Sequence, residues 1–187
     1  MTFWNQWRVV VDEADRAQWV WEPLKSVGPL RFGMAHDDAT QAVAGYLEPS
    51  PRSTNHYGDV GSHEFALTHA PGGPALTAYY DAGRLTCVAV NARRGPQVTL
   101  DGLRLVGRVP SELEAAFIEY TTTHGHELRY GPHADPGTET LGVVLRAQRA
   151  GDVVLSRPVF VAHDWADRCV HVPESRIPDS EWTDRHY

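Results

Sequence analysis

Apolar residues in this chain recur mostly at every second position, in short runs punctuated by glycine-containing turns, which is the pattern of half-buried strands. Leu76-Thr-Ala-Tyr-Tyr80 faces Leu85-Thr-Cys-Val-Ala-Val90 across Asp81-Ala82-Gly83-Arg84. Leu141-Gly-Val-Val-Leu-Arg-Ala-Gln148 faces Val153-Val-Leu-Ser-Arg-Pro-Val-Phe-Val161 across Arg149-Ala150-Gly151-Asp152 in the same way. A third hairpin is predicted for 97–100 with 103–106, because Asp101-Gly102 supplies the positive φ angles of a two-residue turn. Further strands are predicted at 7–11 and 17–21 across a polar connection, at 63–68 and at 126–130.

Two stretches change period. Ala39, Ala42, Val43, Tyr46 and Leu47 fall at helical spacing, with Asp37 and Asp38 where a helix N-terminus favours negative charge. A second helix is predicted from Ser111, where Ser111-Glu-Leu-Glu114 has the form of a capping box and Leu113, Ala116, Phe117 and Tyr120 share a face. Residues 48–61, rich in Pro, Ser, Asn and Gly, read as a mobile loop. The fold class implied is α+β: an antiparallel sheet of short hairpins packed by two helices. Helix-then-hairpin order is met twice, which allows two tandem αβ repeats. One globular domain over 1–187 is expected, with units at 27–107 and 108–162 and a polar tail at 163–187 wrapped over the surface.

Composition narrows the function classes. The 187 residues hold 24 acidic and 17 basic side chains, a formal net charge of -7. That balance argues against nucleic-acid binding, which draws on clustered Lys and Arg, and points to a basic protein partner. No apolar run approaches the roughly 20 residues of a membrane span, and the N-terminal stretch lacks the pattern of a secretory signal, so a cytoplasmic location is expected. Cys87 and Cys169 are read as reduced thiols, Cys87 buried in its strand.

Val27-Gly-Pro-Leu-Arg-Phe-Gly-Met34, followed by Asp37-Asp38-Ala39 and Gly45, resembles the opening of β-lactamase inhibitor protein-like domains and of immunity-like proteins from actinobacteria. The likeness covers about residues 27–107. It implies a helix-plus-hairpin scaffold and, by analogy, inhibition by protein contact. Ala35 and Ala39 depart from the pattern, where a capping Ser or Thr and a larger aliphatic are usual. No functional residue is carried over.

Catalytic signatures are incomplete. His63-Glu64 and His126-Glu127 begin a His-Glu-x-x-His zinc motif, but Leu67 and Tyr130 stand where its second histidine belongs. His124, His126 and His133 are a weak metal set, and histidines at a helix end and a turn are more often solvated; neither metal nor cofactor is expected. The reading leans away from an enzyme, towards a small binding protein of the immunity-inhibitor type. Its contact surface is assigned to the acidic and aromatic residues Asp37, Asp38, Trp165, Asp179, Glu181, Trp182 and Asp184. The alternative is a small-ligand binding protein or unorthodox enzyme, marked by a cavity where polar groups converge.

Overall fold

A computed structural model describes residues 10–57, 59–70, 72–183 and 185–186. The chain is α+β, and the described residues form two sheets and two helices of two turns or more, with shorter helical turns besides. In the first sheet β1 (Gln18–Glu22) pairs with β2 (Ser26–Val27), which pairs with β3 (Leu30–Arg31). On its other side β1 runs parallel to β8 (Gln97–Leu100), which turns back into β9 (Leu103–Arg104). Helix α1 spans His36–Val43 and α2 spans Pro110–His124.

The larger sheet has the order β10-β11-β12-β13-β7-β6-β5-β4. Its strands are β4 (Leu47–Tyr57), β5 (Val60–Leu67), β6 (Pro74–Asp81), β7 (Arg84–Val90), β10 (Arg129–Tyr130), β11 (Pro136–Thr138), β12 (Val143–Ala150) and β13 (Val153–Val161). Short helices α3 (His163–Ala166) and α4 (Asp179–Trp182) follow, and β14 (Arg185–His186) pairs with β12. Each of α1 and α2 thus precedes four strands that pair in sequence order, and the two groups join antiparallel through β7 and β13. The helix-then-hairpin order of the sequence is present in both halves.

Both faces of the central strands are buried, and period two sorts their side chains between two cores. Ala78, Tyr80, Val88, Val90, Val143, Leu145 and Phe160 join Ala39 and Val43 of α1, Leu113 and Phe117 of α2, and Trp19 and Trp21 of β1. Tyr79, Cys87, Ala89, Val144, Val159 and Val161 point the other way, onto Trp165, Ala166, Cys169, Val170, Ile177 and Trp182. Residues 163–182 are therefore a second core layer, and the expected surface tail is corrected. What hid this in the sequence is its spacing: Trp165, Cys169, Val170, Ile177 and Trp182 follow neither a helical nor a strand period.

Other expectations are adjusted locally. Residues 48–57 form β4 and are not a loop. Pro49 and Pro51 are tolerated because β4 is an edge strand whose register shifts between Pro49 and Thr54. Helix α2 starts one residue before Ser111, with Pro110 in its first turn, Val109 at the cap and no side-chain cap, so the capping box is not formed. Strand 126–130 shortens to β10. The two Ala-Gly turns differ: Ala82 and Gly83 both have positive φ (48° and 75°), whereas the second turn centres on Gly151 and Asp152, with only Gly151 positive (68°). β1 alternates Trp19 and Trp21 inward with Val20, 65% exposed, outward, so its second face is not covered. Most of the predicted strand 7–11, with Trp4 and Trp7, lies outside the described residues.

Candidate functional site

Arginines 146 and 157 stand directly opposite each other on β12 and β13, on the face covered by residues 163–182. Like charges so placed repel unless each is neutralised. Arg146 Nη1 bonds the Asp135 carboxylate, and Arg146 Nε donates to the Glu181 carbonyl at 2.9 Å. Arg157 Nε and Nη2 grip the Glu181 carboxylate at 3.0–3.1 Å, and the Tyr79 hydroxyl donates to its Oε1 at 2.5 Å. Burial, then the adjacent Glu181, raises the pKa of Tyr79, so its proton stays in place. Burial and Glu181 likewise raise Cys87, and burial pushes Cys169 up to about 12. Both are free thiols with little thiolate character.

Beyond the edge of that C-terminal cover the same face opens into a part-enclosed cleft of about 130 Å³. Glu64 of β5, Thr77 of β6, Gln148 of β12 and Arg157 of β13 form its floor, with Gly72, Gly73, Pro74 and Leu76 along one wall. The opposite wall is the turn Asn91-Ala-Arg-Arg-Gly-Pro96, which presents Asn91, Arg93 and Arg94.

That turn is held from three directions. Asn91 Oδ1 accepts the backbone N–H groups of Arg93 (2.9 Å) and Arg94 (3.2 Å). Gln148 Oε1 accepts the Ala92 N–H at 3.0 Å. Buried Arg16 donates to the carbonyls of Gly95 (2.6 Å), Ala92 (2.8 Å) and Arg93 (3.1 Å). Gly95 permits the close approach, since a Cβ there would lie 2.3 Å from Val90 Cγ1, 2.7 Å from the Asn91 carbonyl and 2.9 Å from the Ala75 carbonyl. The turn is pre-organised, so its side chains need little ordering to bind anything.

Two donors on residues that line the cleft lack a partner among the described residues. Because Gln148 Oε1 is taken by the Ala92 N–H, its NH2 group is fixed as the orphan, and Gln148 is 1% exposed. Arg94, 6% exposed, gives one amino group to the Ala70 carbonyl but leaves Nε–H without an acceptor. Burial lowers the pKa of Arg93, helped by neighbouring Arg94, and that of Arg94, which reflects poor solvation of both cations. Glu181 neutralises Arg157, and Glu64 is the acidic residue among those that line the cleft.

The sequence-assigned surface is dispersed. Trp165, Glu181 and Trp182 are buried (2%, 1% and 6% exposed) and serve the interior, with Arg146 stacked 5.5 Å over the Trp182 ring. Asp37 and Asp38 are exposed on the first turn of α1, Asp179 is exposed at the start of α4, and Asp184 lies outside the described residues. His124 Nδ1 lies 2.9 Å from the Tyr120 carbonyl and His126 Nδ1 2.9 Å from Thr140 Oγ1. Among the described residues no three His, Cys, Asp or Glu side chains converge as metal ligands. No helix among them is long and apolar enough to cross a membrane. The cleft arginines were missed by the sequence reading. Their signal was the polar series Arg146, Gln148 and Arg157 at alternate places in apolar strands, with an Arg-Arg pair between Asn and Gly-Pro.

Comparison with protein families, with curated proteins and with solved structures finds no match to this chain.

Proposed function

We propose that this protein binds a small molecule in the cleft between β5, β6, β12, β13 and the turn 91–96. The observation that carries this reading is a part-enclosed cleft lined by Arg94 and Gln148, each of which buries a donor, the Nε–H and the amide, that has no partner among the described residues. Leaving such a group unpaired costs about 1–3 kcal/mol, more when it is charged, and an acceptor brought in by a ligand removes that penalty. The pre-organised turn and the convergence of Thr77, Asn91 and Gln148 point the same way. A cytoplasmic setting accords with two buried, unpaired thiols.

The inhibitor reading suggested by the immunity-like opening has less to stand on. Among the described residues its acidic and aromatic surface is reduced to Asp37, Asp38 and Asp179, because Trp165, Glu181 and Trp182 are buried. A fragment screen followed by side-chain NMR on labelled full-length protein discriminates the two. Saturable shifts of the Arg94 and Gln148 side-chain resonances by some members of the library are expected. A screen in which no compound moves them, alongside stoichiometric capture of a basic protein that contacts α1, would replace this reading with inhibition.

A further inference from the structure

We infer that the free edge of the smaller sheet takes up a peptide segment of another protein as an added strand, and that the segment it fits alternates apolar and acidic residues. β9 ends that sheet, in the order β3-β2-β1-β8-β9, and no described residue pairs with its outer side. A groove of about 320 Å³ borders this edge, lined by Gly102, Leu103, Arg104 and Arg108 on one side and by Glu112, Leu113 and Ala116 of α2 on the other. The Tyr120 hydroxyl donates to Asp101 Oδ2 at 2.9 Å, which ties the hairpin turn to α2.

The register sets which backbone groups are on offer. Leu100 and Leu103 flank a two-residue turn with positive φ at Asp101 (48°) and Gly102 (85°), and the next bonded position is Leu105, whose N–H donates to the Val98 carbonyl at 2.9 Å. Arg104, opposite Thr99, lies between these bonded pairs, so in an antiparallel ladder its own N–H and C=O point away from β8. Unpaired groups of this kind are the template for strand addition. An added strand exchanges two hydrogen bonds with Arg104, one in each direction.

Side-chain direction then sets the sequence that fits, because successive residues of a strand point to opposite faces. Leu103 is half-buried and packs on the core that holds Leu113 and Phe117, so its face is the one towards α2, whereas the Arg104 side chain, 54% exposed, is on the other. A residue directly opposite Arg104 shares its face, and an acid there makes the favourable cross-strand pair. Its two neighbours turn towards α2, where half-buried Leu103 and Ala116 offer apolar contact. Arg104 already faces one carboxylate, that of Glu13, but at 3.9 Å, beyond hydrogen-bond reach. Arg108 is exposed and has no ion-pair partner among the described residues, which adds a cation to a lining whose acid is Glu112. A second copy of this chain is a poorer occupant, since two-fold pairing of β9 with β9 sets Arg104 opposite Arg104. About 320 Å³ is roughly twice the 150 Å³ that holds benzene, which suits two or three residues of an extended segment.

The test uses the full chain at pH 7 and constant ionic strength with three capped pentapeptides: Thr-Val-Glu-Val-Thr, the same with Gln in place of Glu, and the same with the Glu nitrogen methylated. Binding is followed by the Arg104 amide and Ala116 methyl resonances, which lie on the two sides of the groove. The first peptide should shift both saturably, the Gln peptide should bind about two- to fivefold more weakly, and the methylated peptide should shift neither. Arg104→Glu should reverse the order, so that a Lys-centred peptide binds better than the Glu-centred one. The comparison of the three peptides on the unaltered protein stands whether or not that variant folds. Equal binding of the Glu and Gln peptides, or an unchanged order in Arg104→Glu, would overturn the acidic partner. Equal binding of the methylated peptide would overturn strand addition. If no peptide moves the two resonances up to its solubility limit, the whole inference fails, and the cleft reading is untouched because the groove and the cleft share no lining residue.

Discussion

Glu181→Ala removes the carboxylate that ties the C-terminal layer to the sheet, and the structure sets how large the effect should be. Glu181 is 1% exposed, Arg157 2%, and their contact is three hydrogen bonds at 3.0–3.1 Å with a fourth to Glu181 from Tyr79. Removing one partner of such a pair strands a buried charge and costs about 3–5 kcal/mol, against about 0–1 kcal/mol for a pair in water. At roughly 2–4 °C per kcal/mol for a chain of this size, the melting temperature should fall by about 6–20 °C. Arg157→Met alone should cost a similar amount. The double variant Arg157→Met with Glu181→Leu should recover most of the loss, because two apolar side chains leave no charge unpaired. Urea unfolding of the wild type, Glu181→Leu, Arg157→Met and their combination gives the coupling energy directly. A Glu181→Ala loss below about 1 kcal/mol, the value of an exposed pair, would refute the placement of residues 163–182 as a core layer.

Three further outcomes follow from the same contacts. Gly95→Ala should destabilise the protein by about 1–3 kcal/mol, since backbone on two sides and Val90 bar a Cβ; thermal melting no different from wild type would contradict the geometry of the turn. Stability should decline as pH rises above about 9. Cys87, Cys169, Tyr79 and Tyr80 all have raised pKa values in the folded chain, so the unfolded state loses its protons first; a flat urea midpoint from pH 8 to 11 would contradict this. Arg16→Met should speed amide exchange in residues 91–95 by freeing the Ala92 and Gly95 carbonyls and leaving that of Arg93 only the Val11 N–H, and unchanged exchange there would show that Asn91 and Gln148 suffice.

How much of this could be read from the sequence depended on whether the governing physics was local. Asp101-Gly102 and Ala82-Gly83 announce turns with positive φ at both central residues, and both hairpins are where the pattern put them. Period-two alternation located β6, β7, β12 and β13 because those strands obey it on two buried faces. Composition misled at 48–57, where prolines that would break a central strand sit on an edge. It misled again after His163, where polar spacing conceals Trp165, Ile177 and Trp182. At Ser111 a local motif lost to the preceding proline, which already supplies helical φ at the first position. The site was illegible for another reason: Ala92 meets Gln148 only because β12 and β7 are brought into one sheet through β13, and no short motif encodes that pairing.

The central claim is that the cleft beside the turn 91–96 binds a small molecule, and crystals of the full chain soaked with a fragment library test it most directly. The account predicts ordered fragment density in the cleft, with an acceptor atom at about 2.7–3.2 Å from a donor of Arg94 or Gln148. Density for water alone in the cleft, while fragments from the same library bind elsewhere on the protein, would contradict it.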